Sequence, residues 1–152
     1  MESLDRIDRQ ILNCLQRDGQ LTAQDIADRV GLSPSPCARR IRRLQHDGWI
    51  KRYRAELDRE RLQLDITVFV HVRLSQHQDA IIDQFEQTVG DMAEVISCHT
   101  VSGAFDYLLQ VVARDLRHYE SWVRRLQKLP NVNTIDSSFA IREVKAGGPL
   151  PL

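Results

Sequence analysis

Residues 21–51, LTAQDIADRVGLSPSPCARRIRRLQHDGWIK, decide how the front of this chain folds. Thr22 followed by Asp25 is helix-opening chemistry, and Ile26, Ala27 and Val30 then recur on one helical face. Gly31 supplies the stop, because a residue without Cβ enters the left-handed region freely. Leu32 fills the corner. Ser33 is expected to cap a second helix from Pro34 to about His46, since proline suits a first turn whose N–H has no partner anyway. At 100° per residue Cys37, Ile41 and Leu44 of that helix point inward. Ser35, Arg39, Arg42 and His46 project from the opposite side, with Arg43 beside them and Arg40 nearer the apolar edge. The pattern predicts a helix-turn-helix.

Between Ser33 and Arg54 stand seven basic residues and one acid, Asp47, a local excess of six in a chain that is neutral overall. A solvated surface helix usually mixes signs, so this concentration points to an anionic partner. Duplex DNA fits best: a helix of this size enters the major groove, and arginine forks pair with phosphate or guanine edges. The second helix is then the reader. Ser35, Pro36 and Arg39, near its N-terminus, are expected closest to the bases, and the capping Ser33 is counted among the DNA-binding residues. Arg42, Arg43, Lys51 and Arg52 are expected along the phosphates, and Arg40 is counted with them among the DNA-binding residues. The bland alternative is a helical hairpin with a solvated arginine face.

Upstream, Leu4, Ile7, Ile11, Leu12 and Leu15 give a helix over about 4–17, ended by Asp18-Gly19. Three helices are the minimum that buries a common core. Gly48-Trp49-Ile50 turns into an expected strand, Ile50 to Leu57, carrying Lys51, Arg52 and Arg54. A basic hairpin in this place is a wing that lies along the phosphate backbone. Residues 1–58 are therefore expected as a winged DNA-binding domain, and 59–65 as a linker.

From Ile66 the period changes to two: Ile66, Val68, Val70, Val72 and Leu74 share one face of a strand. A helix from Asp79 to Val89, strands over Glu94–Val101 and Asp106–Ala113, a helix through Leu116, Tyr119, Val123, Leu126 and Leu129, and a strand from Thr134 to Val144 follow. The order β-α-β-β-α-β is the ferredoxin-like plan, so the chain is α+β, with this module over 66–145. Both helices lie on one face of such a sheet. The other face is too apolar for water, and a second copy related by two-fold symmetry would cover it. The tail, 146–152, is expected to be mobile or to dock on another subunit.

Composition sets bounds. The 152 residues hold 21 Lys+Arg against 21 Asp+Glu, 42% hydrophobic and 28% charged, values of a globular protein. Cys14, Cys37 and Cys98 form no C-x-x-C pair and sit in apolar patterns, so free buried thiols are expected. No histidine pair has metal-ligand spacing, and neither a metal nor a cofactor is expected. Trp49 and Trp122 fall in core patterns, and Asp5 and Asp8 read as solvated or paired rather than catalytic. No catalytic motif rises above chance. No stretch is apolar enough for a signal peptide or a membrane span, so the expected location is the cytoplasm.

LDRIDRQILNCLQRDG, GLSPSPCARRIRRLQHDGWI, VSGAFDYLLQV and SSFAIREVK resemble the successive signatures of the Lrp/AsnC (feast/famine) family of transcription regulators. The resemblance runs from Leu4 to Lys145. It implies a winged helix-turn-helix followed by a RAM/ACT-like module, a homodimer that assembles further into octamers, and an amino acid or related effector. It places that effector at the loop Ser102, Gly103, Ala104, Phe105 and Asp106, with Ser137 adding a hydroxyl from the last strand. Asp106 would meet an ammonium group. Many relatives carry an acidic or amide residue at Ala104 and a threonine at Ile135, which implies a more apolar effector here, or none. Siroheme decarboxylase subunits are similar in fold, but need a histidine and basic groups gathered in the second module. An assembly module without DNA binding would have no use for the basic face.

Overall fold

A computed structural model describes residues 3–152. The chain divides into two compact units: Met1–Glu56 together with Lys145–Leu152, and Leu57–Val144.

The first unit holds α1 (Arg6–Arg17), α2 (Ala23–Val30) and α3 (Pro34–His46). Asp5 opens α1 and Thr22 opens α2, each through a reciprocal capping box with the acid three residues on, Asp8 and Asp25. Gly31 closes α2 at φ +72°, as its position required. The helices bury Ile11, Leu12, Leu15, Ile26, Ala27, Cys37 and Leu44 against one another. Ser33 stands at the N-cap of α3 with extended backbone, but its side chain makes no capping bond. The sequence accounts for part of this: of the two N–H groups a cap can reach, Pro36 has none to offer and only Ser35 remains.

Two expectations fail nearby. Ile50–Leu57 forms no strand, because a strand requires a hydrogen-bonded neighbour and no described segment pairs with this one. The segment is instead pinned by Tyr53, whose hydroxyl accepts from Gln45 Nε2 at 3.4 Å and whose ring packs at Gly19. Trp49 is 43% exposed, not core. The tail belongs to this unit: Gln16 Nε2 donates to the Leu150 carbonyl at 3.0 Å, and Leu150 N donates back to Gln16 Oε1 at 2.8 Å.

The second unit is the ferredoxin-like module: β1 (Ile66–Leu74), α4 (Asp79–Gly90), β2 (Val95–Thr100), β3 (Tyr107–Ala113), α5 (Leu116–Gln127) and β4 (Val132–Phe139). The sheet order is β2-β3-β1-β4 and every neighbouring pair is antiparallel. Val68, Val70 and Val72 pair with Val111, Leu109 and Tyr107, and this row packs on Phe85 and Val89 of α4 and Tyr119, Trp122 and Leu126 of α5. The alternate row, with Phe69, His71 and Arg73 on β1 and Leu108 and Gln110 on β3, forms the face opposite the helices. β4 is shorter than its alternation predicts. Phe139 pairs with Val68 near the start of β1, so residues beyond it have almost no partner strand, and Ile141 is fully exposed.

Candidate functional site

The outward face of α3 follows from what the helix buries. Cys37 and Leu44 are fully buried, which fixes the roll of α3 and leaves Ser35, Arg39, Arg42 and His46 exposed. Lys51 and Arg52 are exposed as well, on the strandless segment. Among the described residues none of Arg39, Arg42, Lys51 and Arg52 enters an ion pair or side-chain hydrogen bond. Their charge is available to a phosphate or a base edge.

Arg40 and Arg43 differ. Arg40 Nη1 donates to Asp5 Oδ2 at 2.6 Å and to Asp8 Oδ1 at 2.8 Å. Arg43 Nη2 donates to Asp8 Oδ2. Both arginines, expected among the DNA-binding residues and Arg43 along the phosphates, are turned instead to the acids of α1. The electrostatics agree. The Asp8 N–H and then the Arg40 guanidinium hold the Asp5 carboxyl below the usual carboxylate range, and Asp5 and Asp8 raise Arg40.

Asp8 is the residue that sequence reasoning undervalued. It is 1% exposed. A carboxylate buried without a cation costs several kcal/mol, about enough to unfold a small unit, so its two arginines are required company. The signal was present: Asp8, Ile11, Leu12 and Leu15 recur at helical spacing, which places an acid on the apolar stripe.

The loop between β2 and β3 is the second candidate. Gly103 takes φ +117°, a conformation that side chains other than hydrogen rarely adopt. Arg73 folds over this loop: its Nε donates to the Ala104 carbonyl at 2.6 Å, and its guanidinium carbon lies 5.5 Å from the Phe105 ring centroid. Phe105 also packs on His71, with ring centroids 5.2 Å apart. Asp106 Oδ2 accepts from Leu74 N at 2.7 Å, and Oδ1 meets His77 Nε2 at 2.9 Å. Burial pushes the Asp106 carboxyl up, but the Leu74 N–H, His77 and Arg73 outweigh it and the net shift is downward. Asp106 therefore already has internal partners, and an incoming ammonium group would compete with His77.

Sequence reasoning missed His77 and Arg73, because one lies outside any regular element and the other reads as an ordinary strand cation. Ser137 does not join this loop. It lies in the row that faces the helices, where it accepts from the Tyr119 hydroxyl at 2.5 Å. Ile135 packs against the core in the same row, so its apolar character serves packing. Among the described residues no group of histidines, cysteines and acids has the arrangement of a metal site.

Residues 4–51 match the family described as winged helix-turn-helix DNA-binding, and residues 67–150 match the Lrp/AsnC ligand binding domain. The chain belongs to the Lrp/AsnC family. It is 40% identical over 150 residues to the leucine-responsive regulatory proteins of Klebsiella pneumoniae and of Escherichia coli strain K12, covering 98% of this chain and 92% of each relative. An AsnC family transcriptional regulator from Agrobacterium tumefaciens superimposes with a TM-score of 0.93 at 37% identity, over 97% of both chains. A transcriptional regulator from Neisseria meningitidis, solved as its complex with L-Met, gives 0.94 at 35% identity, over 98% of this chain and 97% of that one. As an Lrp/AsnC protein the chain is a DNA-binding transcriptional regulator with a ligand-binding domain, and the family is not an enzyme family. No described helix is long and apolar enough to cross a membrane.

Proposed function

We propose that this Lrp/AsnC regulator reads DNA sequence with α3, presented twice by a homodimer, and that an amino acid or related metabolite tunes it through the loop Ser102–Asp106. The observation that carries the reading is the outward row of cations on α3 with no internal partner. Ser33, Ser35, Pro36 and Arg39 meet base edges near the N-terminus of α3, and Arg42, Lys51 and Arg52 hold phosphates. The dimer forms on the sheet face opposite the helices, where Phe69 and Leu108 would otherwise meet water, and dimers assemble further, into an octamer or a related species. A DNA partner supports a cytoplasmic location.

The effector reading draws on the ligand-binding description of residues 67–150 and on the L-Met complex of the Neisseria meningitidis relative. The arrangement at Ser102, Gly103, Ala104, Phe105 and Asp106 supports it, because a ligand carboxylate can take Arg73 from the Ala104 carbonyl and an ammonium can take Asp106 from His77. Ser137 accepts from Tyr119 and contributes through the O–H that this bond leaves free.

Selection of bound sites from a random duplex pool at moderate salt tests the DNA half. Enrichment of a palindrome with half-sites about one helical turn apart is expected. A pool without enrichment would contradict sequence reading. Thermal melting with each of the natural amino acids tests the other half: at least one, Leu or Met foremost, should raise the midpoint, by about 2.7 kcal/mol of added stability at a hundredfold excess over its Kd. No shift with any of them would leave a regulator without such an effector.

A further inference from the structure

The reading of α3 makes no use of Asp8, the buried acid that faces it from α1. We propose that Asp8, assisted by Asp5, is a specificity-determining residue that withholds Arg40 and Arg43 from the phosphate backbone. The inference rests on α3 being the DNA-reading helix. Both carboxylate oxygens of Asp8 are taken, Oδ1 by Arg40 at 2.8 Å and Oδ2 by Arg43, and Arg40 bridges on to Asp5 at 2.6 Å. Asp5 and Asp8 reduce the local excess of six positive charges between Ser33 and Arg54 to four.

The consequence is a division of labour on one helix. Arginines that reach any phosphate strengthen binding to every sequence alike, whereas a base contact strengthens binding to one. Seven unrestrained cations would raise affinity for the many non-specific sites with which a regulator must contend, and would erode its selectivity. Arg43 is 42% exposed at its side chain and stands beside the outward row, so only its bond to Asp8 keeps it from a nearby phosphate. A carboxylate at this depth serves as an internal competitor for DNA phosphate, built from the residue that also completes the cap of α1.

The test is the full-length chain with Asp8→Asn, which keeps the size of the side chain and removes its charge. Binding to a random duplex and to a selected site is measured across salt concentrations. Release of the two arginines should steepen the dependence of log K on log salt for random DNA by about 1–2, since each added phosphate contact contributes roughly 0.9. The ratio of specific to random affinity should fall severalfold. Adding Arg43→Gln to Asp8→Asn should return about one unit of that slope. If Asp8→Asn does not fold, Arg43→Gln in the parent chain decides: it should leave the slope unchanged, while Arg42→Gln lowers it by about 1. An unchanged slope in folded Asp8→Asn, equal weakening on both DNAs, or equal slopes for Arg43→Gln and Arg42→Gln would overturn the proposal. A parent chain that retards no DNA even at low salt would instead overturn the reading of α3 itself.

Discussion

The outward face of α3 and the loop between β2 and β3 treat their polar groups in opposite ways. On α3, Arg39 and Arg42 are exposed and, among the described residues, unpaired, while the cations that could blur recognition are tied to Asp5 and Asp8. At the loop, Arg73, the Ala104 carbonyl, Asp106 and His77 satisfy one another. A face with charge to spare is ready for its partner. A loop whose polar groups are already matched must exchange internal bonds for external ones, which suits a ligand that changes the protein on arrival.

The largest expected effect concerns the core of the unit that carries the loop. Trp122 is fully buried under the sheet, and Trp122→Ala should cost about 3–5 kcal/mol of the second unit's stability. Hydrogen exchange at the β1 amides reads this directly. A loss below about 1 kcal/mol would mean that the sheet does not depend on that side chain.

Asp106→Asn sharpens the contrast further. A charged acceptor shared by the Leu74 N–H and His77 should contribute about 1–2 kcal/mol, visible in denaturant unfolding at neutral pH. The lowered carboxyl gives the sign of the pH dependence. The contribution is present above the ordinary aspartate range and is lost as pH falls through the depressed value, where the folded-state carboxylate takes up its proton. The Asn variant should therefore lose less stability than the parent on acidification between about pH 5 and pH 2. Parallel acid profiles would show that Asp106 is not held as described.

The smallest expected effect lies within the helix pair. Thr22→Ala removes a working cap and should cost about 1 kcal/mol in thermal unfolding, whereas Ser33→Ala should stay within about 0.5 kcal/mol. Equal losses would mean that Ser33 caps α3 in solution after all.

These same caps show what a sequence makes legible. Thr22, Asp25 and Gly31 act on neighbours three or four residues away, so their roles could be read directly. The two-residue alternation of β1 likewise announces a buried row, and its pairing with β3 was implied by the order of elements. Ser33 misled because cap preference says nothing of a missing N–H at Pro36. Ile50–Leu57 misled because a turn at Gly48-Trp49 followed by a basic stretch cannot supply the neighbouring chain that a strand needs. At the loop, the segment itself was legible but its partners were not. Asp106 meets His77 across 29 residues, and Ser137 faces Tyr119, pairings that only the folded sheet decides. The acid on the stripe of α1 lay between these cases: its misplacement was visible, and its arginines, 32 and 35 residues away, were not.

The account turns on α3 as the reader of sequence, and Arg39 is its most direct test. Affinities of the parent chain and of Arg39→Ala should be measured for a selected site, for that site with each base pair exchanged in turn, and for random duplex. The account predicts a loss of about 1–3 kcal/mol on the selected site, with discrimination relaxed at one base pair of each half-site and random binding little changed. Equal loss on selected and random DNA, with discrimination intact at every position, would contradict it.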